Sequence, residues 1–457
     1  MKQAVQKQKL DMLNGSLWNK IPQFALPVAA TAILEQLFNA SDIAVVGNFS
    51  GTASTIAVAA VGANSFVISL VVNFFIGIAL GANVVIANAI GREDEDAVHR
   101  AVHTAVVISV LGGVLVTLFG ELAAGTVLRS LNVPEEVLPY ALLYLRIYLL
   151  GVPVILLYNF EAAIFRSVGD TKVPLQTLAF SGVLNVLLNL FFVIVLHMTV
   201  NGVATATVIS NAISSSLLFV RLRRSDKAIH LNWRELRIDR KSLQKILQIG
   251  FPAGIQSAVF SISNIVIQSA INSLGTVVMA ASSAAFNIEV IAYDVLSSFS
   301  QACTTFVGQN YGARKLDRCR KTLVLCLVED TVASGLAIML VLCSGRFLLS
   351  LFNQDPEVIS IGYTRLMVVF TAYFFSMLYE VMSGYLRGFG ISLVPALLTM
   401  VGVCGVRILW VATAFPRHRS FQTILLAYPL SLAATAVLIF IALLVYHPSH
   451  KTKGEAV

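Results

Sequence analysis

LYNFEAAIFRSVGDTKVP at residues 157–174 is answered by LYEVMSGYLRGFGISLVP at residues 378–395. At a constant offset of 221, Leu157/Leu378, Tyr158/Tyr379, Arg166/Arg387, Gly169/Gly390, Val173/Val394 and Pro174/Pro395 are identical pairs. Gly91/Gly312, Glu136/Glu357 and Val137/Val358 fall on the same offset, while Pro27/Pro252 and Asn39/Asn264 match at 225. The first half therefore carries a few extra residues early on. Both copies are made of long apolar runs. A duplicated set of membrane-length runs is the pattern of a secondary transporter built from two repeats.

Composition agrees with a membrane setting. The 457 residues are 57% hydrophobic and only 12% charged, against about 25% charged in soluble domains. Mean hydropathy is +0.81. Twelve apolar spans are read at 21–46, 56–86, 104–126, 140–164, 173–198, 202–220, 247–272, 278–308, 322–344, 360–384, 393–415 and 421–446. Each is long enough to cross a hydrocarbon core of ~30 Å. The expected fold class is an all-α membrane protein, with twelve transmembrane helices in two six-helix lobes. Six is an even number, so both halves insert the same way round, related by a pseudo-two-fold axis along the membrane normal.

The net charge of +8 follows topology rather than a nucleic-acid partner. Of 32 Lys and Arg, 25 lie in the two tails and in the connections after spans 2, 4, 6, 8 and 10. The opposite connections hold Arg129, Arg346, Arg417 and Arg419, and Arg146, Arg365 and Arg407 lie within spans. The positive-inside rule places both termini in the cytoplasm; the expected location of this multi-pass chain is the plasma membrane (bacterial inner membrane). The first apolar run is too long for a cleavable signal peptide and lacks a small-residue cleavage site. The expected division is a first lobe over 1–220, a basic cytoplasmic linker over 221–246 and a second lobe over 247–457. The linker RLRRSDKAIHLNWRELRIDRKSLQK (221–245) carries nine Lys/Arg and suits the inner membrane surface. Pro27 and Pro252, at equivalent points of spans 1 and 7, each remove a helix hydrogen bond and are candidate hinges.

An ionisable residue deep in a span costs roughly 2.5–3.5 kcal/mol on insertion scales, so each needs a partner, a wet cavity or a function. In span 1, Glu35, Asn39 and Asp42 stand at i, i+4 and i+7 and share one helical face. In span 5, Asn185 and Asn189 share another. Together they form a candidate cation-coupling site. Carboxylate and amide oxygens suit a hard cation such as Na⁺, and a buried carboxylate equally suits H⁺. In the second half, Glu289, Asp294 and Glu380 are candidates for a substrate cavity. Glu289 and Asp294 project roughly 140° apart, so they do not make one site. Glu329 and Asp330 are read as partners of the basic run Arg318–Lys321, Glu161 and Glu380 as ion-pair partners of Arg166 and Arg387, and Arg407 as the neutraliser of a buried acid.

Enzyme chemistry finds no support. No phosphate-binding loop, GxSxG or HExxH occurs. The five cysteines form no CxxC pair. His99 and His103 have i, i+4 spacing with no further ligand in sequence reach, so no metal site is assigned.

Six segments taken in order resemble the multidrug and toxic compound extrusion (MATE) family. They are ALPVAATAILEQLFNASDIAVVG (25–47), IANAIGRED (86–94), FRSVGDTKVP (165–174), LNVLLN (184–189), FVGQNYGARKLDRCRK (306–321) and MSGYLRGFG (382–390). The resemblance covers nearly the whole chain. It implies cation-coupled export: H⁺ or Na⁺ enters while a small organic compound, often cationic, leaves, with no cofactor. It also implies that Asp42 stands at the family's first-span aspartate and Asn185 at an asparagine of the fifth-span motif. Asn189 replaces an aspartate found in some members. The stretch GFPAGIQSAVFSISNIVIQ (250–268) lacks the glutamate of one branch's second-lobe cation site, so the chain looks closer to the DinF-like branch. The alternative is a lipid-linked oligosaccharide flippase of the same superfamily, which calls for a larger and more basic cavity. The expected partners are small organic molecules and the lipid bilayer, without nucleic acid, and the expected state is a monomer.

Overall fold

The computed structural model describes residues 10–51, 54–131, 133–225 and 228–446. Among these, twelve helices are long and apolar enough to span a membrane, and there is no strand. Six precede the basic connection: α1 Lys20–Phe49, α2 Ser54–Gly91, α3 Glu95–Ser130, α4 Leu138–Ser167, α5 Lys172–Val195 and α6 Val200–Arg223. Six follow it: α7 Arg240–Asn272, α8 Thr276–Gly312, α9 Leu316–Ser350, α10 Pro356–Gly388, α11 Leu393–Thr413 and α12 Phe421–Tyr446. Each overlaps one expected span. Their outward faces carry large apolar side chains such as Phe119, Leu122, Leu340 and Leu409, which are 69%, 84%, 66% and 64% exposed. Stripes of that kind suit lipid rather than water.

The duplication is written into the backbone. α4 and α10 both end in a glycine with positive φ, Gly169 at 83° and Gly390 at 84°. Asp170 N–H donates to Phe165 O at 3.0 Å, and Ile391 N–H to Leu386 O at 3.0 Å. These are matched Schellman ends, in which a left-handed residue turns the chain out of the helix and satisfies a terminal carbonyl. α2 and α8 end alike: Glu93 (φ 57°) and Arg314 (φ 58°) sit 221 residues apart. Asp94 N–H donates to Ala89 O and Lys315 N–H to Asn310 O. Starts are specified as locally. The Asp94 carboxylate accepts from Ala97 N–H at 2.9 Å to cap α3, and Asp355 with Pro356 opens α10.

The chain forms two compact units. Among the described residues, one comprises 30–254 and the other 10–29 and 255–446. The divisions fall inside α1 and α7, two residues after Pro27 and Pro252 respectively. In the first unit, the start of α7 packs on α2 through paired small residues. A Cβ on Gly81 would lie 2.3 Å from Ile246 O, and one on Gly77 would lie 2.3 Å from Gly254 N. Gly77-xxx-Gly81 thus meets Gly250-xxx-Gly254 at backbone contact, a close approach typical of helices packed in membranes. In the second unit, the start of α1 buries Ile21, Phe24, Ala25 and Val28 against Phe299, Cys303 and Phe306. The segment before it is tied down by Arg318, whose Nε donates to Met12 O at 3.1 Å and Nη1 to Gly15 O at 2.9 Å. Gly81→Leu should therefore destabilise the protein by about 1–3 kcal/mol through overpacking. Thermal unfolding in detergent checks this, with Gly125→Leu, where nothing lies within 4 Å of an added Cβ, as the neutral control.

The basic connection is also anchored. Asn232 N–H donates to His103 Nε2 at 3.1 Å, and Asp239 N–H to Thr104 Oγ1 at 3.0 Å. Both bonds strap it to the start of α3 within the first unit.

Candidate functional site

The first unit gathers its polar side chains around Asp42, which is 5% exposed. Asn189 Nδ2 donates to Asp42 Oδ1 at 2.6 Å and to Asn185 Oδ1 at 3.2 Å. Thr207 Oγ1 donates to Asp42 Oδ2 at 3.0 Å and accepts from Asn185 Nδ2 at 3.4 Å. Three helices meet here: α1 brings the acid, α5 two amides one turn apart, and α6 the hydroxyl. Each hydrogen of the Asn189 amide has an acceptor, while its Oδ1 is buried with no hydrogen-bond partner. Tyr144 and Tyr148 of α4 lie within electrostatic reach of the carboxylate. α5 passes into a π-helical turn at Phe191–Val195 directly after Asn189, a feature frequent at functional sites.

Asp42, Asn185 and Asn189 are thus in mutual contact. Thr207 has no mark in the sequence, because a threonine in a helix ordinarily bonds its own backbone. Asn39 stands exposed on α1, and among the described residues no hydrogen bond joins it to the cluster. Glu35, half-buried two turns earlier, interacts electrostatically with Arg166. The pairing of Glu161 with Arg166 read from the sequence is replaced: Glu161 is fully buried and accepts from Ser215 Oγ at 3.0 Å.

The second unit holds a cavity of about 90 Å³, lined by Phe260, Asn264, Glu289, Tyr293, Tyr379 and Arg407 among others. Glu289 lines it but is neutralised. Arg365 Nε donates to Glu289 Oε1 at 2.7 Å and Nη2 to Oε2 at 2.8 Å, with side chains 2% and 3% exposed. Arg365 also donates to Ser282 Oγ and Tyr428 Oη. Four of the five guanidinium protons have acceptors and both carboxylate oxygens accept, the condition under which a buried ion pair is tolerated.

Arg407 does not neutralise a buried acid. Its Nε donates to Ser431 Oγ at 3.1 Å and its Nη1 to Asn264 Oδ1 at 3.4 Å, and its guanidinium lies 4.5 Å from the centroid of Tyr428. Glu380 and Asp294 are outside the lining of this cavity. Glu380 accepts the Tyr293 hydroxyl at 2.9 Å, and Arg387 donates to Gln256 Oε1 rather than to Glu380. Glu329 and Asp330 turn inward, away from the basic run. Asp330 accepts from Ser334 Oγ at 2.6 Å, and neither Glu329 oxygen has a hydrogen-bond partner.

His99 and His103 gain a third potential ligand, Glu235, from the basic connection. His103 is itself held by protein groups: its Nδ1 lies 2.7 Å from His99 O and its Nε2 3.1 Å from both the N–H and the carbonyl oxygen of Asn232. Glu235 contacts His99 Nε2 at 3.2 Å.

The chain matches the family described as MatE over residues 27–191 and 252–412, one stretch in each half. It is 27% identical over 439 residues to the probable multidrug resistance protein YoeA of Bacillus subtilis, covering 93% of each chain. It is 27% identical over 445 residues to the probable multidrug resistance protein NorM of Thermotoga maritima, covering 95% of this chain and 93% of that one. Its fold is similar to that of a solved structure described as a multidrug resistance MATE family transporter of the MOP superfamily. The TM-score is 0.87 at 20% identity, over 95% of this chain and 97% of that one.

Proposed function

Because the chain belongs to the MatE family, we propose that it is a multidrug efflux antiporter of the bacterial plasma membrane, exporting organic compounds, often cationic, in exchange for H⁺ bound at Asp42. The observation that carries this reading is the buried cluster of Asp42 with Asn185, Asn189 and Thr207. Both carboxylate oxygens accept hydrogen bonds, one from an amide and one from a hydroxyl. A sodium ion would need several further oxygen ligands drawn in around the carboxylate, whereas a proton needs only one new acceptor. Asn189 Oδ1 has nothing donating to it. Rotation of that amide would offer its oxygen to a protonated Asp42. The proton thereby reorders bonds among α1, α5 and α6.

Pro27 and Pro252 give this event a mechanical outlet. Each lies two residues before the point where its helix passes from one compact unit to the other. A proline there lacks a backbone bond and lets the helix bend at low cost. Proton binding shifts the balance of states only through unequal affinity for them. Both termini face the cytoplasm in this scheme.

Thr207→Val should slow transport about tenfold or more, as expected from loss of a hydrogen bond to a charged group worth about 1.5–3 kcal/mol. Thr207→Ser should restore it, which a packing role for the threonine methyl would not allow. The scheme as a whole is tested by ethidium uptake into everted vesicles under a pH gradient or a Na⁺ gradient imposed separately. Uptake under the pH gradient alone is expected. Uptake under the Na⁺ gradient alone would overturn the assignment of the ion.

A further inference from the structure

We propose that the cavity of the second unit is a binding site for an organic anion, specifically an aromatic carboxylate, held by Arg407. Arg407 is 3% exposed and lines the cavity. Among the described residues, no carboxylate lies within ion-pair distance of it. Its hydrogen-bond partners are a serine hydroxyl and an asparagine oxygen, both neutral. A guanidinium inside a membrane span is costly unless an anion faces it. Of the acids nearby, Glu289 is neutralised by the two-pronged grip of Arg365, and Glu380 lies outside the cavity lining, bonded to the Tyr293 hydroxyl. That leaves the place facing Arg407 in the cavity to the anion of a ligand.

The walls define what carries that anion. Phe260 and Tyr428 lie 5.5 and 4.5 Å from the Arg407 guanidinium, and Phe286, Tyr293, Tyr373 and Tyr379 complete an aromatic lining. Arginine offers a planar fork to a carboxylate, and aromatic walls favour a flat ring attached to it. The cavity is partly open, so its volume of about 90 Å³ need enclose only the carboxylate end of the ligand. α11 makes a π-helical turn at Met400–Gly405, just before Arg407.

The duplication sharpens the case. Asn264, which meets Arg407, is the repeat partner of Asn39 on α1. In the first unit, the niche of α1 and α5 holds the acid Asp42. In the second, the niche of α7 and α11 holds a base. Related niches have taken opposite charge, so the second cannot repeat the cation chemistry of the first.

The inference deepens the transport reading by naming a substrate class for the second unit, yet its test requires no transport. Full-length protein in zwitterionic nanodiscs is titrated calorimetrically with 2-naphthoate, neutral 2-naphthamide and cationic 2-naphthylmethylammonium, with empty nanodiscs subtracted. Naphthoate should bind about tenfold or more tighter than the amide, since a charge-assisted fork is lost in the latter. Arg407→Gln should abolish that preference and leave the amide unaffected. Asn264→Asp supplies Arg407 with an internal carboxylate. It should abolish the preference too, raise the unfolding temperature, and serve if Arg407→Gln does not fold. Asp42→Asn should keep the preference for naphthoate over the amide, which separates this site from the coupling site. Equal affinity for acid and amide, absence of naphthoate binding, preference for the cation, or an anion preference that survives both second-unit variants would each overturn the proposal.

Discussion

Asp42→Asn should fold, unfold within about 1 kcal/mol of the parent, and lose gradient-driven export down to the background of vesicles without the protein. The two halves of that expectation have separate causes. Asparagine keeps the shape of the side chain and one oxygen acceptor, so the contacts to Asn189 and Thr207 can be largely rebuilt, and net hydrogen-bond contributions are only about 0.5–1.5 kcal/mol each. What it cannot do is gain and lose a proton. An ion gradient drives a conformational cycle only if the ion binds the two states unequally, and moving a population from 1:99 to 99:1 takes about a 10⁴-fold difference in affinity. A side chain that never titrates offers no difference at all. Downhill exchange of substrate across Asp42→Asn membranes should persist, because the bending helices remain. Loss of exchange together with loss of accumulation would mean that Asp42 holds the structure rather than the ion.

The second large effect is on stability. Glu289→Gln should destabilise the protein by about 3–5 kcal/mol, because it leaves the Arg365 guanidinium buried without its carboxylate. Removing both charges should cost far less: Glu289→Leu with Arg365→Met is expected to recover most of the loss, since a buried pair adds little over apolar packing of similar volume. Thermal or denaturant unfolding of the parent, Glu289→Leu, Arg365→Met and the variant with both forms a double-mutant cycle, and a coupling near zero would show that the pair is incidental. The cavity beside the pair should lose its shape in the single variant, as Tyr428 touches both guanidinium groups.

Much of the fold was legible in the sequence because membrane insertion leaves strong marks. Span length, charge placement and the 221-residue repeat each act over many residues, so they survive errors at individual positions. The Asp42 cluster was legible for a related reason. An acid in mid-span is expensive, and amides at i, i+4 on a second span are the natural partners. Thr207 was not, since its hydroxyl has a backbone acceptor in any helix. The pairing of Arg365 with Glu289 was hidden by 76 residues of separation and by rival partners closer in sequence. The same preference for near neighbours assigned Glu161 to Arg166, Glu380 to Arg387 and Glu329 and Asp330 to the basic run. In a membrane interior, contacts between helices compete with contacts along one: Ser215 and Tyr293, each on another helix, take the places of Arg166 and Arg387, while Asp330 bonds Ser334 one turn along its own helix. Division of the chain after residues 29 and 254 left a partial mark, in the two prolines and the small-residue pairs of α2 and α7. That these mark a change of unit is a property of packing, which no single helix records.

The most direct measurement is of the proton itself. Full-length protein is reconstituted into liposomes loaded with a pH-sensitive dye, in buffer free of Na⁺, and an ethidium gradient is applied. The account predicts that ethidium moving one way drives protons the other, seen as a change of internal pH that Asp42→Asn lacks. Ethidium flux with no pH change, or a pH change that persists in Asp42→Asn, would contradict it.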